Sequence, residues 1–101
     1  LKSHIAAVFA SNFSYHFISI ARDYLKKNNL PADVLNPLLR ETLVKVMENP
    51  EADLQTGPAA REDYGIIQKH QEVLKNEPSL QKLYTFVTES IIHYKKAKEK
   101  D

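Results

Sequence analysis

Ile5-Ala6-Ala7-Val8-Phe9-Ala10-Ser11-Asn12-Phe13-Ser14-Tyr15-His16-Phe17-Ile18-Ser19-Ile20-Ala21 contains no lysine, arginine, aspartate or glutamate. Wound as a helix, it carries Ile5, Val8, Phe9, Phe13, Phe17 and Ile20 on one side and Ala7, Ile18 and Ala21 elsewhere. A helix that is apolar at every angle is normally surrounded on all sides. Ser11, Asn12, Ser14 and His16 interrupt its centre at a cost that excludes a membrane span. The helix therefore needs protein around it, and three shorter helices that must bury their own stripes can hardly enclose it. A second copy of the chain, packed as an isologous twofold mate, or a neighbouring domain is the economical cover. The alternative is a central bundle helix whose small residues allow close packing.

Outward from that stretch the chain reads as four helices. The first extends from about Lys2 to about Asn28, stopped at Asn28-Asn29-Leu30-Pro31, where Asn tolerates a left-handed turn and proline blocks continuation. The second starts near Asp33 as its capping residue, with Pro37 near its first turn and a stripe of Val34, Leu35, Leu38, Leu39, Leu43, Val46 and Met47. Glu41 and Lys45 form an i,i+4 pair on its other side. Asn49-Pro50 ends that helix and opens an irregular stretch to about Glu62. Asp63 is placed to cap the third helix, with Ile66, Ile67, His70, Val73 and Leu74 as its stripe. Asn76-Glu77-Pro78-Ser79 breaks the pattern before a fourth helix carrying Leu80, Leu83, Tyr84, Val87, Ile91 and Tyr94. Lys95 to Asp101 reads as a solvated, fraying tail. No strand-like alternation, repeat or low-complexity segment is present, so the expected class is all-α, a single domain over residues 1–101 with a long central first helix.

Composition narrows the partners. The 101 residues hold 14 basic and 13 acidic side chains, for a net charge of +1. Outside the tail these alternate in sign, which leaves no basic face for nucleic acid and no attraction to an acidic membrane. Zero cysteines exclude disulfides and thiolate metal sites and fit a reducing, cytoplasmic compartment. No targeting or lipidation signal stands out, and the start at Leu1 inside a helical pattern reads as a domain cut from a longer protein. His4, His16, His70 and His93 offer no i,i+3 or i,i+4 pair on a helix, so no metal is expected.

The candidate site lies in Gln55-Thr56-Gly57-Pro58-Ala59-Ala60-Arg61-Glu62-Asp63. One of the chain's two glycines, Gly57, falls here; the other is Gly65. Pro58 suits the first position of a helical turn, which makes Gly57 its cap. The amides of Ala59, Ala60 and Arg61 would then be unpaired, and the Arg61 guanidinium could clamp a carboxylate or phosphate, with the Thr56 hydroxyl beside it. Methyl-sized side chains at 59 and 60 would let a ligand or another backbone approach. The plainer reading is a linker turn in which Arg61 pairs with Asp63 or another carboxylate. His70 within an apolar stripe is either a satisfied core histidine or a group that exchanges a proton near neutral pH. On the first helix, His4, Ser11 and Tyr15 share a narrow arc flanked by Asn12 and His16. These polar groups either bond each other and the helix backbone or face a ligand, and Asn12 is the candidate for the second role.

Several runs carry a family resemblance: His4-Ile5-Ala6-Ala7-Val8-Phe9-Ala10-Ser11-Asn12-Phe13, Leu39-Arg40-Glu41-Thr42, and the Thr56-Gly57-Pro58-Ala59-x-Arg61-x-Asp63 run with Ile67 and His70 downstream. Together they resemble the helical C-terminal domain, of unknown function, in a family of Rossmann-like NAD(P)-dependent oxidoreductases. That domain is similar in architecture to the C-terminal dimerisation domains of pyrroline-5-carboxylate reductase and 6-phosphogluconate dehydrogenase. The resemblance covers essentially the whole chain. It implies an N-terminal dinucleotide-binding domain that holds NADP or NAD, a homodimer through the first helix, and a substrate cleft lined by Asn12, Thr56, Gly57, Arg61 and His70. In that setting Arg61, Thr56 and Gly57 would bind substrate, and His70 and Asn12 would act at the reacting carbon. The chain itself contains no G-x-G-x-x-G, so it is expected to hold no cofactor and to be inactive alone. Two other classes stay open: a stand-alone helical interaction module with no catalytic parent and, ranked last, a DNA-binding helical domain.

Overall fold

A computed structural model describes residues 1–99. The first helix is assembled from α1 (Lys2–Ala7), a π-helical segment (Val8–Phe13) and α2 (Ser14–Lys27). Ala7, Val8, Phe13 and Ser14 all keep right-handed helical backbone angles, so the three run as one rod. Three further rods follow: α3 (Asn36–Glu48), α4 (Tyr64–Val73) with a 3-10 turn at Leu74–Asn76, and α5 (Pro78–Glu99). The fold is thus all-α with four helical rods, and no strand occurs among the described residues. The chain divides between Ala52 and Asp53 into two compact units.

In the first unit, the end of α2 follows its local chemistry. Leu30 N–H bonds to the Leu25 carbonyl at 2.8 Å and Asn29 N–H to that of Lys26 at 3.1 Å, with Asn29 at φ 62°. This is a Schellman end with an asparagine in the left-handed position, followed by the proline that prevents continuation. Lys26 and Lys27 in the last turn meet the negative end of the helix. The second helix departs from expectation. It begins at Asn36 rather than near Asp33, and no side chain caps it. The backbone explains the shift: Asp33 contributes its carbonyl, not its carboxylate, to a turn closed by Asn36 N–H at 3.0 Å. Pro37 in the first turn then lacks only an N–H that would have had no partner. Arg22 Nη2 donates to Asn36 Oδ1 at 3.2 Å, the side-chain bond that ties α2 to the start of α3.

The π segment is a second departure. A π turn closes i→i+5 rings and so takes an extra residue. Angular positions computed for a regular helix do not carry across Val8–Phe13, so a shared arc for His4, Ser11 and Tyr15 no longer follows from their spacing. Their side chains, with those of Asn12 and His16, are exposed and make no hydrogen bonds among the described residues. Phe9 and Phe13 stack edge to face at 5.1 Å.

In the second unit, Asp63 caps α4 as expected, its Oδ1 accepting from Ile66 N–H at 3.2 Å. The break before α5 is shorter than expected. Only Glu77 is non-helical, its N–H bonded to the Leu74 carbonyl and its own carbonyl accepting from Gln81 N–H, both at 2.9 Å. Pro78 and Ser79 already belong to α5 because proline fits the first position of a helix. Among the described residues the buried side chains are Ala59, Ala60, Ile67 and Leu74, all in this unit. Ile67 and Leu74 lie two turns apart on one face of α4 and its 3-10 extension. Lys95–Glu99 is a correction as well: it continues α5, held at its base by two lysines described below. The last two residues of the expected tail, Lys100 and Asp101, lie outside the described residues. No described helix is long and apolar enough to cross a membrane.

Candidate functional site

Gly57 adopts φ +98°, a conformation that side-chain-bearing residues rarely take. It opens one helical turn over Pro58–Arg61. Arg61 N–H bonds to the Gly57 carbonyl at 3.3 Å, Glu62 N–H to that of Ala59 at 3.1 Å, and Asp63 N–H to that of Pro58 at 2.9 Å. The last two bonds form a Schellman closure with Glu62 in the left-handed position at φ 51°. The turn is therefore capped at both ends before Asp63 starts α4. Of the three amides expected to be free, that of Arg61 is engaged by Gly57; those of Ala59 and Ala60 have no partner among the described residues. Ala59 and Ala60 are 6% and 7% exposed. What approaches this turn is neither a ligand nor another backbone but a side chain of the same chain: Lys95 Nζ donates to the Ala60 carbonyl at 2.8 Å.

The left-handed residue is held by charge. Lys96 Nζ lies 3.1 Å from Glu62 Oε1, which also accepts from Tyr64 Oη at 3.1 Å. The Lys96 and Tyr64 hydrogen bonds hold the Glu62 carboxyl below the usual range. The same contacts push Tyr64 and Lys96 up, each chiefly through its bond to Glu62. Arg61, between these anchors in sequence, is exposed and makes no ion pair among the described residues, so the expected alternative of an Arg61–Asp63 bridge is not formed.

His70 is exposed rather than packed into a core. Its Nδ1 lies 2.8 Å from Tyr84 Oη, with the two rings edge to face at 5.7 Å. Burial pushes the Tyr84 phenol up, so it keeps its proton well past neutral pH. The next residues along each helix are also joined: Gln71 Nε2 donates to Thr85 Oγ1 at 2.9 Å, and Gln81 Nε2 donates to the Gln71 carbonyl at 2.8 Å.

Of the expected site residues, Thr56, Gly57, Arg61 and His70 belong to the second unit and Asn12 to the first. Gly57 and Arg61 share one turn, while His70 sits on α4 beyond the cap that ends that turn. Thr56 and Asn12 are exposed, and Asn12 falls inside the π segment. Sequence reasoning did not single out Tyr84, Lys95, Lys96 or Glu62. The lysines read as tail, and the 14-residue separation of His70 and Tyr84 spans a helix break whose geometry has no sequence signature. Among the described residues no three His, Asp or Glu side chains gather as a metal site.

Residues 2–91 match the family described as a domain of unknown function, DUF2520. The crystal structure of a "putative NADP oxidoreductase" from Bacteroides fragilis is similar to the chain, with a TM-score of 0.83 and 42% identity. The match covers 91% of this chain and 36% of that protein. No curated protein matches the chain. The described residues do not form the strand, glycine loop and helix that cradle a dinucleotide: Gly57 caps an isolated turn and Gly65 lies within α4.

Proposed function

The chain belongs to the DUF2520 family, and from that membership we propose that it is the helical substrate and dimerisation domain of a cytoplasmic NADP-dependent oxidoreductase. The observation that carries the reading is the 42% identity over 91% of this chain to 36% of a protein described as such an oxidoreductase. A Rossmann-like domain preceding Leu1 holds the NADP (NAD is the alternative), since the glycines of this chain are placed for other work. The nicotinamide supplies hydride when bound; this chain supplies the substrate's surroundings. The Arg61 guanidinium, exposed and without an ion-pair partner among the described residues, receives an anionic group of the substrate, with Thr56 and Gly57 beside it. His70 offers a hydrogen bond to the reacting end. Ile5, Phe9, Phe13 and Phe17 remain 51%, 64%, 45% and 43% exposed, apolar surface that supports dimerisation through the first helix.

The test compares the protein with its preceding segment and the chain alone, in NADPH binding and in light-scattering mass. The expected result is NADPH binding only with the preceding segment present, and a dimeric mass for both. Arg61→Ala or His70→Ala in the longer protein then lowers turnover at least about ten-fold. A longer protein that ignores NADPH, or a preceding segment without a dinucleotide-binding motif, would turn the reading toward a helical interaction module.

A further inference from the structure

The contact between α4 and α5 around His70 has a chemical consequence that depends on the reading just given. Nδ1 and Tyr84 Oη are 2.8 Å apart, and one proton lies between them. A phenol raised by burial retains that proton, and Oη has no other acceptor among the described residues. A neutral imidazole carries one N–H, so an Nδ1 that accepts from the phenol leaves the ring proton on Nε2. Nε2 has no partner among the described residues and belongs to an exposed side chain.

The two residues are also held in register. Thr85 Oγ1 accepts from Gln71 and donates to the Gln81 carbonyl at 3.0 Å, while Gln81 Nε2 returns to the Gln71 carbonyl. Three side chains thus form a closed polar seam one residue along from the His70–Tyr84 pair. A ring fixed by an edge-to-face aromatic neighbour, a hydrogen bond at one nitrogen and a seam beside it is oriented before any ligand arrives. That is the arrangement a directed donor requires.

We propose that Tyr84 is a positioning residue of the site: by donating to Nδ1 it holds His70 as the Nε2–H tautomer. His70 then presents that N–H to an acceptor oxygen, carbonyl or carboxylate, of the substrate bound at Arg61. Tyr84 acts through His70 and does not itself touch the substrate.

The experiment records two-bond 1H–15N correlations of the neutral imidazoles in 15N-histidine-labelled chain, at alkaline pH. His70→Gln identifies the His70 signals. The expected wild-type pattern is a dominant Nε2–H form with Nδ1 as a hydrogen-bonded acceptor. In Tyr84→Phe, Nδ1 moves toward the unbonded value of exposed His4 and His16, and the Nδ1–H form grows several-fold. Thr85→Val opens the neighbouring seam and leaves the His70 tautomer as in wild type, which separates the specific bond from loosened packing. A His70 pattern unchanged in Tyr84→Phe, a wild-type ring protonated on Nδ1, or a Thr85→Val shift equal to that of Tyr84→Phe would overturn the proposal. In the longer protein, Tyr84→Phe lowers kcat about ten-fold with little change in NADPH affinity. Failure to bind NADPH alongside a Tyr84-dependent tautomer would overturn the oxidoreductase reading and not the pairing; an altered NADPH affinity without the tautomer change would do the reverse.

Discussion

Gly57 and Gly65 respond to an added methyl group in opposite directions. At Gly57 a Cβ meets nothing within 4 Å, so space is not the constraint; φ +98° is. Gly57→Ala is expected to lower stability by about 1–2 kcal/mol in urea titration, the cost of left-handed backbone for an L-residue. At Gly65 the backbone is helical and a Cβ would lie 3.6 Å from Asp63 Oδ1, an ordinary contact. Gly65→Ala is expected to raise stability by about 0.5 kcal/mol, through the smaller entropy loss of alanine in a helix. The Glu62 anchor adds a pH window. Its carboxyl is depressed, so its contribution is present above the ordinary glutamate range and lost as pH falls through the folded value. Tyr64 and Lys96 are raised, so theirs is present below their ordinary ranges and lost as pH rises through the folded values. Protection of the amides across residues 57–62, taken relative to the intrinsic exchange rate at each pH, is therefore expected to be greatest between those limits and to fall on both sides, less so at high salt. The residues that sequence chemistry located correctly, Asn29, Gly57 and Asp63, act on their own backbone. Tyr84 was missed because its effect depends on where another helix lies.

The elements divide by the same logic. Apolar spacing and proline positions locate all four rods, because periodicity and blocked amides are local properties. The π segment was not legible: Val8–Phe13 holds neither glycine nor proline, and its sequence suits a regular helix equally well. The start of α3 was misread because aspartate caps with its side chain or turns with its backbone, and Asp33 does the second. The end of α5 was misread because a lysine-rich run looks solvated until a carbonyl comes within reach. Lys95→Met keeps the aliphatic stem and removes the bond to the Ala60 carbonyl. It is expected to cost about 1 kcal/mol and to speed amide exchange at Ala59–Asp63 while α5 stays helical by circular dichroism. Unchanged exchange would mean that the turn is held by its own two caps.

At the scale of the whole molecule the dominant fact is how little is buried. Among the described residues four side chains are, none of them in the first unit. Covering Ile5, Phe9, Phe13 and Phe17, each about half exposed, is worth roughly 1 kcal/mol per side chain, counted twice in a symmetric pair. Phe9→Glu combined with Phe13→Glu is expected to convert a dimer to monomer by light scattering, and the wild-type melting temperature is expected to rise with protein concentration. A concentration-independent melt of a monomeric wild type would leave this surface to another domain. The α4–α5 connection carries a different consequence, for how the gene can change. Pairing 70 with 84 and 71 with 85 makes Leu74–Glu77 a ruler. One added codon there would bring Leu83 to the place of Tyr84, about 100° around α5, and silence the pair and its seam together. Loops usually absorb insertions; this one has its length fixed by what it aligns.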